Sequence, residues 1–484
     1  MTTPAPLVVG FDLDMTLIDT RPGFAACLDA LAAEAGVTFD TGALVESLGP
    51  PLDLMLRPYL PDHSVDEIGA LVQRFRALYP GTAVGPTLAF AGAHDALAAV
   101  RRHRGRSLVI TGKYTPNARL HLDALDFDVD VLVGEVWGRG KGPVLAAHGA
   151  SVYVGDHVHD VEGARAAGIL SVSVLTGGCT EAELRDAGTD VVLGSLEEFP
   201  AWLDGHLLET RLAALEEQLR GLGSVLVAFS GGADSALLLA AAVRTLGADN
   251  VAAATALSDS LPHAERDPAR ELAESLGVRH LTPRTAEMQR PGYRANDGDR
   301  CYHCKAELLD VLRPLAAEHG LAHVATGTNA DDLVAGFRPG IRAAAERTAR
   351  TPLADAGLTK EQVRALSKRW GLPTWDKPAA ACLSSRIAYG LEVTPARLGR
   401  VERAEEAVRR ALDAAGLRSR DLRVRDLGDR ASVELDPAVV AEAATRVEVV
   451  EAVLDAGFEA VEIDPRGFRS GSMNERLPEP ERFR

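Results

Sequence analysis

Val225-Leu226-Val227-Ala228-Phe229 runs into Ser230-Gly231-Gly232-Ala233-Asp234-Ser235, and Ala236-Leu237-Leu238-Leu239-Ala240-Ala241-Ala242-Val243 follows. A short apolar run, a loop of small residues and a long apolar run of helix formers predict strand, loop and helix. Two glycines let the backbone turn tightly, and the serines offer hydroxyls. The helix N-terminus adds free N–H groups and the positive end of its dipole. Such a loop cradles an anion, and a nucleoside triphosphate fits it. Asp234 would meet a phosphate only through a metal ion. The loop lies near the middle of the chain, so a further domain is expected in front of it.

The loop lacks the lysine of a Walker-type phosphate loop. It resembles the pyrophosphatase-type (PP) loop, Ser-Gly-Gly-x-Asp-Ser. Enzymes with that loop split ATP between the α and β phosphates and adenylate an oxygen of their substrate. By this resemblance Ser230, Gly231, Gly232, Asp234 and Ser235 bind ATP. A plain Gly-Ser turn is the alternative, and the flanking strand and helix argue against it.

The chain has 484 residues, which suggests two or three domains. Its 46% hydrophobic and 25% charged residues suit a globular protein. No apolar run approaches the ~20 residues of a membrane span. Met1–Pro6 carries no basic side chain, so no signal peptide is expected and the expected location is cytoplasmic. A net charge of −17 disfavours a nucleic-acid partner. Five cysteines (Cys27, Cys179, Cys301, Cys304, Cys382) are too few for a disulfide scaffold.

Three expected domains follow from the pattern. Residues 1–204 alternate strands and helices, with a helical insertion at about 22–88, patterned from Phe24 to near Tyr79. The pattern loosens at Glu197–Trp202, and an amphipathic helix at Leu207–Leu222 leads to the loop domain, 205–390. Residues 391–484 read as a small α+β domain: a helix at Pro395–Ala415 and strands at Arg423–Arg425, Ala431–Leu435 and Ala460–Ile463. The last ten or so residues, rich in Pro, Glu and Arg, read as a mobile end. The pattern therefore reads as α/β, with two domains of alternating strands and helices and a small α+β domain; the likeness of the loop to the PP-loop implies that the second of them is doubly wound.

In the first domain, Asp12-Leu13-Asp14-Met15-Thr16 follows an apolar strand. Carboxylates at i and i+2 share one side, and at a strand's C-terminal end they face the ligand crevice. One would attack phosphorus, and the other would pass a proton to the leaving group and take one from water. Alone, Asp-x-Asp reads equally as a Mg²⁺ or turn site. Thr111 follows Leu108-Val109-Ile110, Lys141 lies in Gly138–Pro143, and Gly155-Asp156 with Asp160 follow Val152-Tyr153-Val154. In that order these pieces resemble the four motifs of haloacid-dehalogenase-type (HAD) phosphatases over about residues 6–204. The resemblance implies a Rossmann-like domain with Asp12 as nucleophile and Asp14 as general acid/base. Thr111 and Lys141 would hold the phosphoryl group, and Asp12, Asp14, Asp156 and Asp160 a Mg²⁺. The insertion resembles the cap of the phosphoglycolate-phosphatase branch, implying a small phosphomonoester. His157 and His159 read as loop residues rather than ligands.

Downstream of the PP-loop come Arg300-Cys301-Tyr302-His303-Cys304-Lys305, then Gly327-Thr328-Asn329-Ala330-Asp331-Asp332 with Arg338-Pro339-Gly340, then Lys377–Arg386 with Cys382-Leu383-Ser384-Ser385-Arg386. Arg423 and Arg425 share one strand face. Cys301 and Cys304 alone are ambiguous between structural zinc (with Cys382 and His303), a redox pair, and a 4Fe-4S cluster on three cysteines with one open position. Cys382 alone reads as a buried small hydrophobe, although Lys377 and Arg386 nearby would favour its thiolate. Together these motifs resemble the LarE-type ATP-dependent sulfur transferases over about Leu207–Arg484. These act in making the nickel-pincer cofactor of lactate racemase. The resemblance implies adenylation of a pyridinium mononucleotide carboxylate, attack by Cys382, and a thiocarboxylate product. The cysteine is sacrificed as dehydroalanine, or it ligates a cluster that passes on sulfide. Three cysteines favour the cluster. Asn329 would join the ATP site, Asp234 and Asp331 a second Mg²⁺, and Ser384, Ser385, Arg386, Arg423 and Arg425 the substrate phosphate.

The expected partners are small molecules: ATP, the mononucleotide and a phosphomonoester. A homo-oligomer and contact with other enzymes of the cofactor pathway are also expected. Two further enzyme readings stay open for the PP-loop part, a tRNA thiolase and an amidating enzyme of the NAD-synthetase type. For the N-terminal domain, a non-catalytic binding module stays open.

Overall fold

The computed structural model describes residues 6–336, 338–378, 381–469 and 471–477. Ala379 and Ala380 of the Lys377–Arg386 run, and the expected loose end from residue 478 on, lie outside the described residues. The chain divides into two compact units between Leu207 and Leu208.

In the N-terminal unit a six-stranded sheet runs Val131–Val133, Arg106–Ile110, Val8–Phe11, Val152–Gly155, Leu170–Val174, Val191–Leu193. Every neighbouring pair is parallel. Parallel strands covered on both faces need continuous apolar sequence, and Val8–Phe11 and Val152–Gly155 are buried throughout. The chain fills one side of Val8–Phe11 first and then the other. The crevice between Val8–Phe11 and Val152–Gly155 is therefore a topological switch point, where such sheets bind ligands. The helical insertion is four helices, Arg21–Ala35, Thr41–Glu46, Leu52–Leu56 and Val65–Thr82, rather than one run. They share their own core of Phe24, Leu28, Leu31, Ile68 and Phe75. A short antiparallel ribbon, Ile18–Asp19 with Leu88–Ala89, closes the insertion.

The helix expected from Leu207 begins earlier and spans Phe199–Leu222. Pro200 sits in its first turn, where no N–H is needed, so the loosened pattern there is a helix start.

In the second unit a four-stranded parallel sheet runs Arg279–Leu281, Val251–Ala254, Val225–Ala228, His323–Thr326. The chain again fills one side of a central strand before crossing to the other. Its switch point lies beside Val225–Ala228, the strand that feeds Ser230–Ser235. The helix Ala233–Leu246 is apolar nearly all round and lies in the core. Gly231 has φ +70°, and a Cβ there would lie 3.1 Å from the Ala269 Cβ. At Gly327 a Cβ would come within 2.8 Å of the Ser235 backbone nitrogen, so the neighbouring strand approaches the loop as only glycine allows.

The C-terminal sheet pairs Arg423–Asp426 antiparallel with Arg430–Glu434, which runs parallel to Ala460–Ile463. The helix Pro395–Ala414 covers it. Tyr293, Leu383 and Ile387 belong to the same core. That shared core holds the Cys382 turn against the strand bearing Arg423 and Arg425.

Candidate functional site

Two sites form, one in each unit. In the first, Asp12, Thr111, Lys141, Asp156 and Asp160 are all buried and line one cavity with Asp14. Lys141 Nζ donates to Asp12 Oδ1 at 2.8 Å, to Asp160 Oδ1 at 2.6 Å and to the Tyr153 hydroxyl at 2.9 Å. Thr16 Oγ1 donates to Asp156 Oδ1 at 2.8 Å. The Asp160 carboxylate also caps its own helix, accepting from the His157 N–H at 3.1 Å. Met15, a non-glycine at φ 61°, makes the sharp turn just past Asp14.

Carboxylate oxygens of Asp12, Asp156 and Asp160 lie within 4.8 Å of one another. Burial pushes the Asp12 carboxyl up to about 7, against the pull of Lys141 and with a further push from Asp160. Burial, then Asp160 and Asp12, push Asp156 well up. Three buried carboxylates against one lysine leave negative charge for a hard cation, and this donor set fits Mg²⁺. Asp14 stands apart from that trio. Its carboxylate accepts from Lys113 Nζ at 2.7 Å. Burial opposes its ionisation, but Lys113, with His121 and Thr20 adding to it, holds it below the usual carboxylate range. His157 and His159 line the same cavity.

A cation that neutralises the trio stabilises the fold by mass action. Mg²⁺ at a hundredfold excess over its Kd is expected to add about 2.7 kcal/mol. Calorimetry of the full chain in MgCl₂ and in EDTA checks this. An unchanged Tm, or a shift that survives Asp156→Asn, would remove the trio as the cation site.

In the second unit Ser230, Gly232, Asp234 and Ser235 line a cavity with Ala254, Thr255 and Ala256. The Ser230 N–H donates to Ser235 Oγ at 3.3 Å, and Ser235 Oγ to the Gly232 carbonyl at 3.1 Å. Asn329 Nδ2 donates to Asp234 Oδ1 at 3.0 Å, and Lys360 Nζ pairs with the other oxygen. Asp331 accepts from the Lys360 N–H at 2.8 Å. Its neighbour Asp332, rather than Asp331, lines the cavity. Lys377, expected to favour the Cys382 thiolate, donates to the Gly231 carbonyl at 3.0 Å and pairs with Glu265.

Cys301, Cys304 and Cys382 line one further cavity of about 480 Å³ with Ser384, Ser385, Arg423 and Arg425. Lys305, Leu308, Thr328 and Asp332 line both this cavity and that of the PP-loop. Cys382 Sγ lies 2.9 Å from Ser384 Oγ. Burial pushes the Cys304 thiol up, with Cys382 and Glu287 adding to it. Burial holds Lys305 below its usual range. Burial, then Arg386, lower Arg423. Arg425 pairs with Glu434 at 2.6 Å and donates to the Ser385 carbonyl at 3.2 Å.

Arg386 is placed differently from its expected role. Its guanidinium pairs with Glu405 at 2.9 Å and donates to the carbonyls of Ala381 and Cys382. It clamps the backbone that presents the thiol and is absent from the cavity lining. Arg300, which does line the cavity, also holds this turn, donating to the Ser384 carbonyl at 2.9 Å. His303 bonds Asp299, the N-cap of the helix Arg300–Glu318, at 3.3 Å. Sequence reasoning missed Lys113, Lys305, Asp332 and Lys360. Lys305 had a signal, since it directly follows the Cys-x-x-Cys.

Comparison with known proteins follows the same division. The chain matches the haloacid dehalogenase-like hydrolase family over residues 9–174 and the asparagine synthase family over residues 206–432. A phosphoglycolate phosphatase of Caulobacter vibrioides is 29% identical over 221 residues, 40% of this chain and 88% of that one. An uncharacterized protein of Synechocystis sp. is 42% identical over 271 residues, 55% of this chain and 98% of its own. Pyridinium-3,5-bisthiocarboxylic acid mononucleotide synthase of Lactiplantibacillus plantarum is 36% identical over 271 residues, 56% of this chain and 96% of that enzyme. On that likeness, which spans nearly all of the synthase, the chain belongs to the LarE family and carries a haloacid dehalogenase-like hydrolase domain in its N-terminal part.

Proposed function

We propose that the second unit is an ATP-dependent sulfur transferase acting on a carboxylate of a pyridinium mononucleotide, and the first a Mg²⁺-dependent phosphomonoesterase. The observation that carries the first reading is that the PP-loop cavity and the Cys382 cavity share the wall residues Lys305, Leu308, Thr328 and Asp332. ATP held at the PP-loop is then within reach of a substrate held beside Cys382. A substrate carboxylate oxygen attacks the α phosphorus, and pyrophosphate leaves. Asp234, positioned by Asn329 and Lys360, is the candidate carboxylate for a Mg²⁺ on that leaving group, with Asp332 in place of Asp331 on the cavity wall. The Cys382 thiolate attacks the acyl carbon and AMP leaves, giving a thioester. Loss of the Cys382 α-proton to a base then breaks its Cβ–Sγ bond, which leaves dehydroalanine on the protein and the thiocarboxylate on the substrate. Arg423 and Arg425 suit the mononucleotide phosphate, since a guanidinium matches phosphate geometry. Three thiols in one cavity form a donor set for a 4Fe-4S cluster, which when bound would supply sulfide and spare Cys382.

In the phosphatase, Asp12 attacks phosphorus; for Asp14 to give a proton to the departing alcohol it must first bind one, which requires its pair with Lys113 to loosen, and it later takes a proton from water. Thr111 and Lys141 hold the phosphoryl oxygens. A bound Mg²⁺ would neutralise charge on the transferring group.

The test is anaerobic turnover of the full chain with ATP, Mg²⁺ and pyridinium-3,5-dicarboxylate mononucleotide, followed by mass spectrometry. A thiocarboxylate with AMP is the expected product. Dehydroalanine at Cys382 marks the sacrificial route, and iron and sulfide in the protein with Cys382 intact mark the cluster. AMP formed only with ammonia, giving an amide, would overturn the reading.

A further inference from the structure

We propose that the N-terminal site takes a phosphomonoester whose leaving group is a flat, uncharged aromatic or heteroaromatic alcohol of about one ring, rather than a carboxylate-bearing one. This rests on the phosphatase reading above. Three observations carry it.

Beside the carboxylate trio stands an aromatic wall. The rings of His157 and His159 stack at 4.7 Å and 24°, and Trp137 leans on His159 at 4.1 Å. All three line the cavity that holds Asp12. The indole Nε1 of Trp137 is buried without an acceptor. Less than 1 Å² of that nitrogen is accessible, so the wall offers a ligand its ring surfaces rather than this donor. Across the cavity the cap helices offer Phe24, Met55, Val72 and Phe75.

The cations of the lining outside the phosphoryl end are already engaged. Lys113 pairs with Asp14 at 2.7 Å and Arg76 with Glu135 at 3.2 Å. A glycolate leaving group brings a carboxylate, and among the described lining residues each of these cations already has its charge matched by a partner carboxylate, so a ligand carboxylate gains less from it. A neutral ring needs no cation. The cavity, about 180 Å³, falls below the ~300–1,000 Å³ of pockets for drug-sized ligands. That limits the leaving group to about one ring.

The experiment compares benzyl phosphate with 2-phosphoglycolate and glycerol 3-phosphate on the full chain with Mg²⁺. All three release alkyl alcohols, so leaving-group acidity does not decide the outcome. The kcat/KM for benzyl phosphate is expected to exceed the other two at least tenfold. Stacking on an aromatic side chain contributes about 1–3 kcal/mol, or roughly 5- to 150-fold. Trp137→Ala should therefore shrink the benzyl-to-phosphoglycolate ratio at least fivefold, and Trp137→Phe should restore most of it. The ratio is taken within one protein sample, so a partly unfolded variant does not mimic the effect. p-Nitrophenyl phosphate, with Asp12→Asn as its blank, separates the two failures. Hydrolysis of it with phosphoglycolate preferred over benzyl phosphate overturns the proposal and leaves the phosphatase reading standing. No hydrolysis above the blank overturns both.

Discussion

Cys382→Ala is expected to abolish sulfur transfer to the mononucleotide while adenylation of its carboxylate continues. Product formation should fall by about 10⁴-fold or more, as for other nucleophile deletions. The PP-loop sits on the N-terminus of Ala233–Leu246, whereas Cys382 sits on the 3₁₀ turn Leu383–Arg386 at its N-cap. Removing the thiol leaves Ser230, Ser235 and Asp234 in place, so exchange of labelled pyrophosphate into ATP in the presence of substrate should persist. The turn itself should survive the substitution, because the hydrogen bonds of Arg386 and Arg300 to its carbonyls do not involve the sulfur. Removing one clamp instead, in Arg300→Ala, should weaken both half-reactions together. Retention of thiocarboxylate formation by Cys382→Ala would exclude Cys382 as the sulfur-carrying nucleophile.

What was legible in the sequence was what lies at strand ends. Asp12, Thr111 and Asp156 each follow a short apolar run that reads as a buried strand, and parallel α/β sheets collect the C-terminal ends of their strands on one edge. The Ser230–Ser235 loop was legible for the same reason, with glycine at the φ +70° position and helix formers behind it. Side chains whose meaning is a partner far along the chain were hidden. Lys113 meets Asp14 across 99 residues, and Lys360 meets Asp234 across 126. Neither pair has a local periodicity, because topology alone brings them together. The local engagement of Arg386 was hidden for a related reason. Next to Ser384 and Ser385 this arginine resembles a phosphate ligand, but Glu405, on the helix Pro395–Ala414, pairs with its guanidinium and leaves it to hold the backbone. Asp331 and Asp332 differ by one helical step of about 100°. Sequence alone cannot say which of the two faces the nucleotide.

Asp12→Asn should separate activity from stability in the N-terminal domain, moving them in opposite directions. The amide keeps the shape of the carboxylate but cannot attack phosphorus, so phosphomonoesterase activity is expected to fall by about 10⁴-fold or more. Stability should move the other way in the absence of metal. In the wild type Lys141 faces Asp12 and Asp160, with Asp156 inside the same 4.8 Å cluster. Burial raises Asp12 to about 7 even with Lys141 beside it. Charge on Asp12 is thus a net cost of the folded state at pH 8. Replacing it with a neutral isostere removes that cost, leaves Lys141 paired with Asp160, and should raise the metal-free Tm by about 2–4 °C for each kcal/mol recovered. Lys141→Ala is the opposite case. It strands the carboxylates in the interior without their cation and should destabilise by about 3–5 kcal/mol. Calorimetry in EDTA, beside p-nitrophenyl phosphate turnover in MgCl₂, reads both quantities. If Asp12→Asn lowers the metal-free Tm, the trio is not under charge repulsion. If it retains turnover, the nucleophile lies elsewhere.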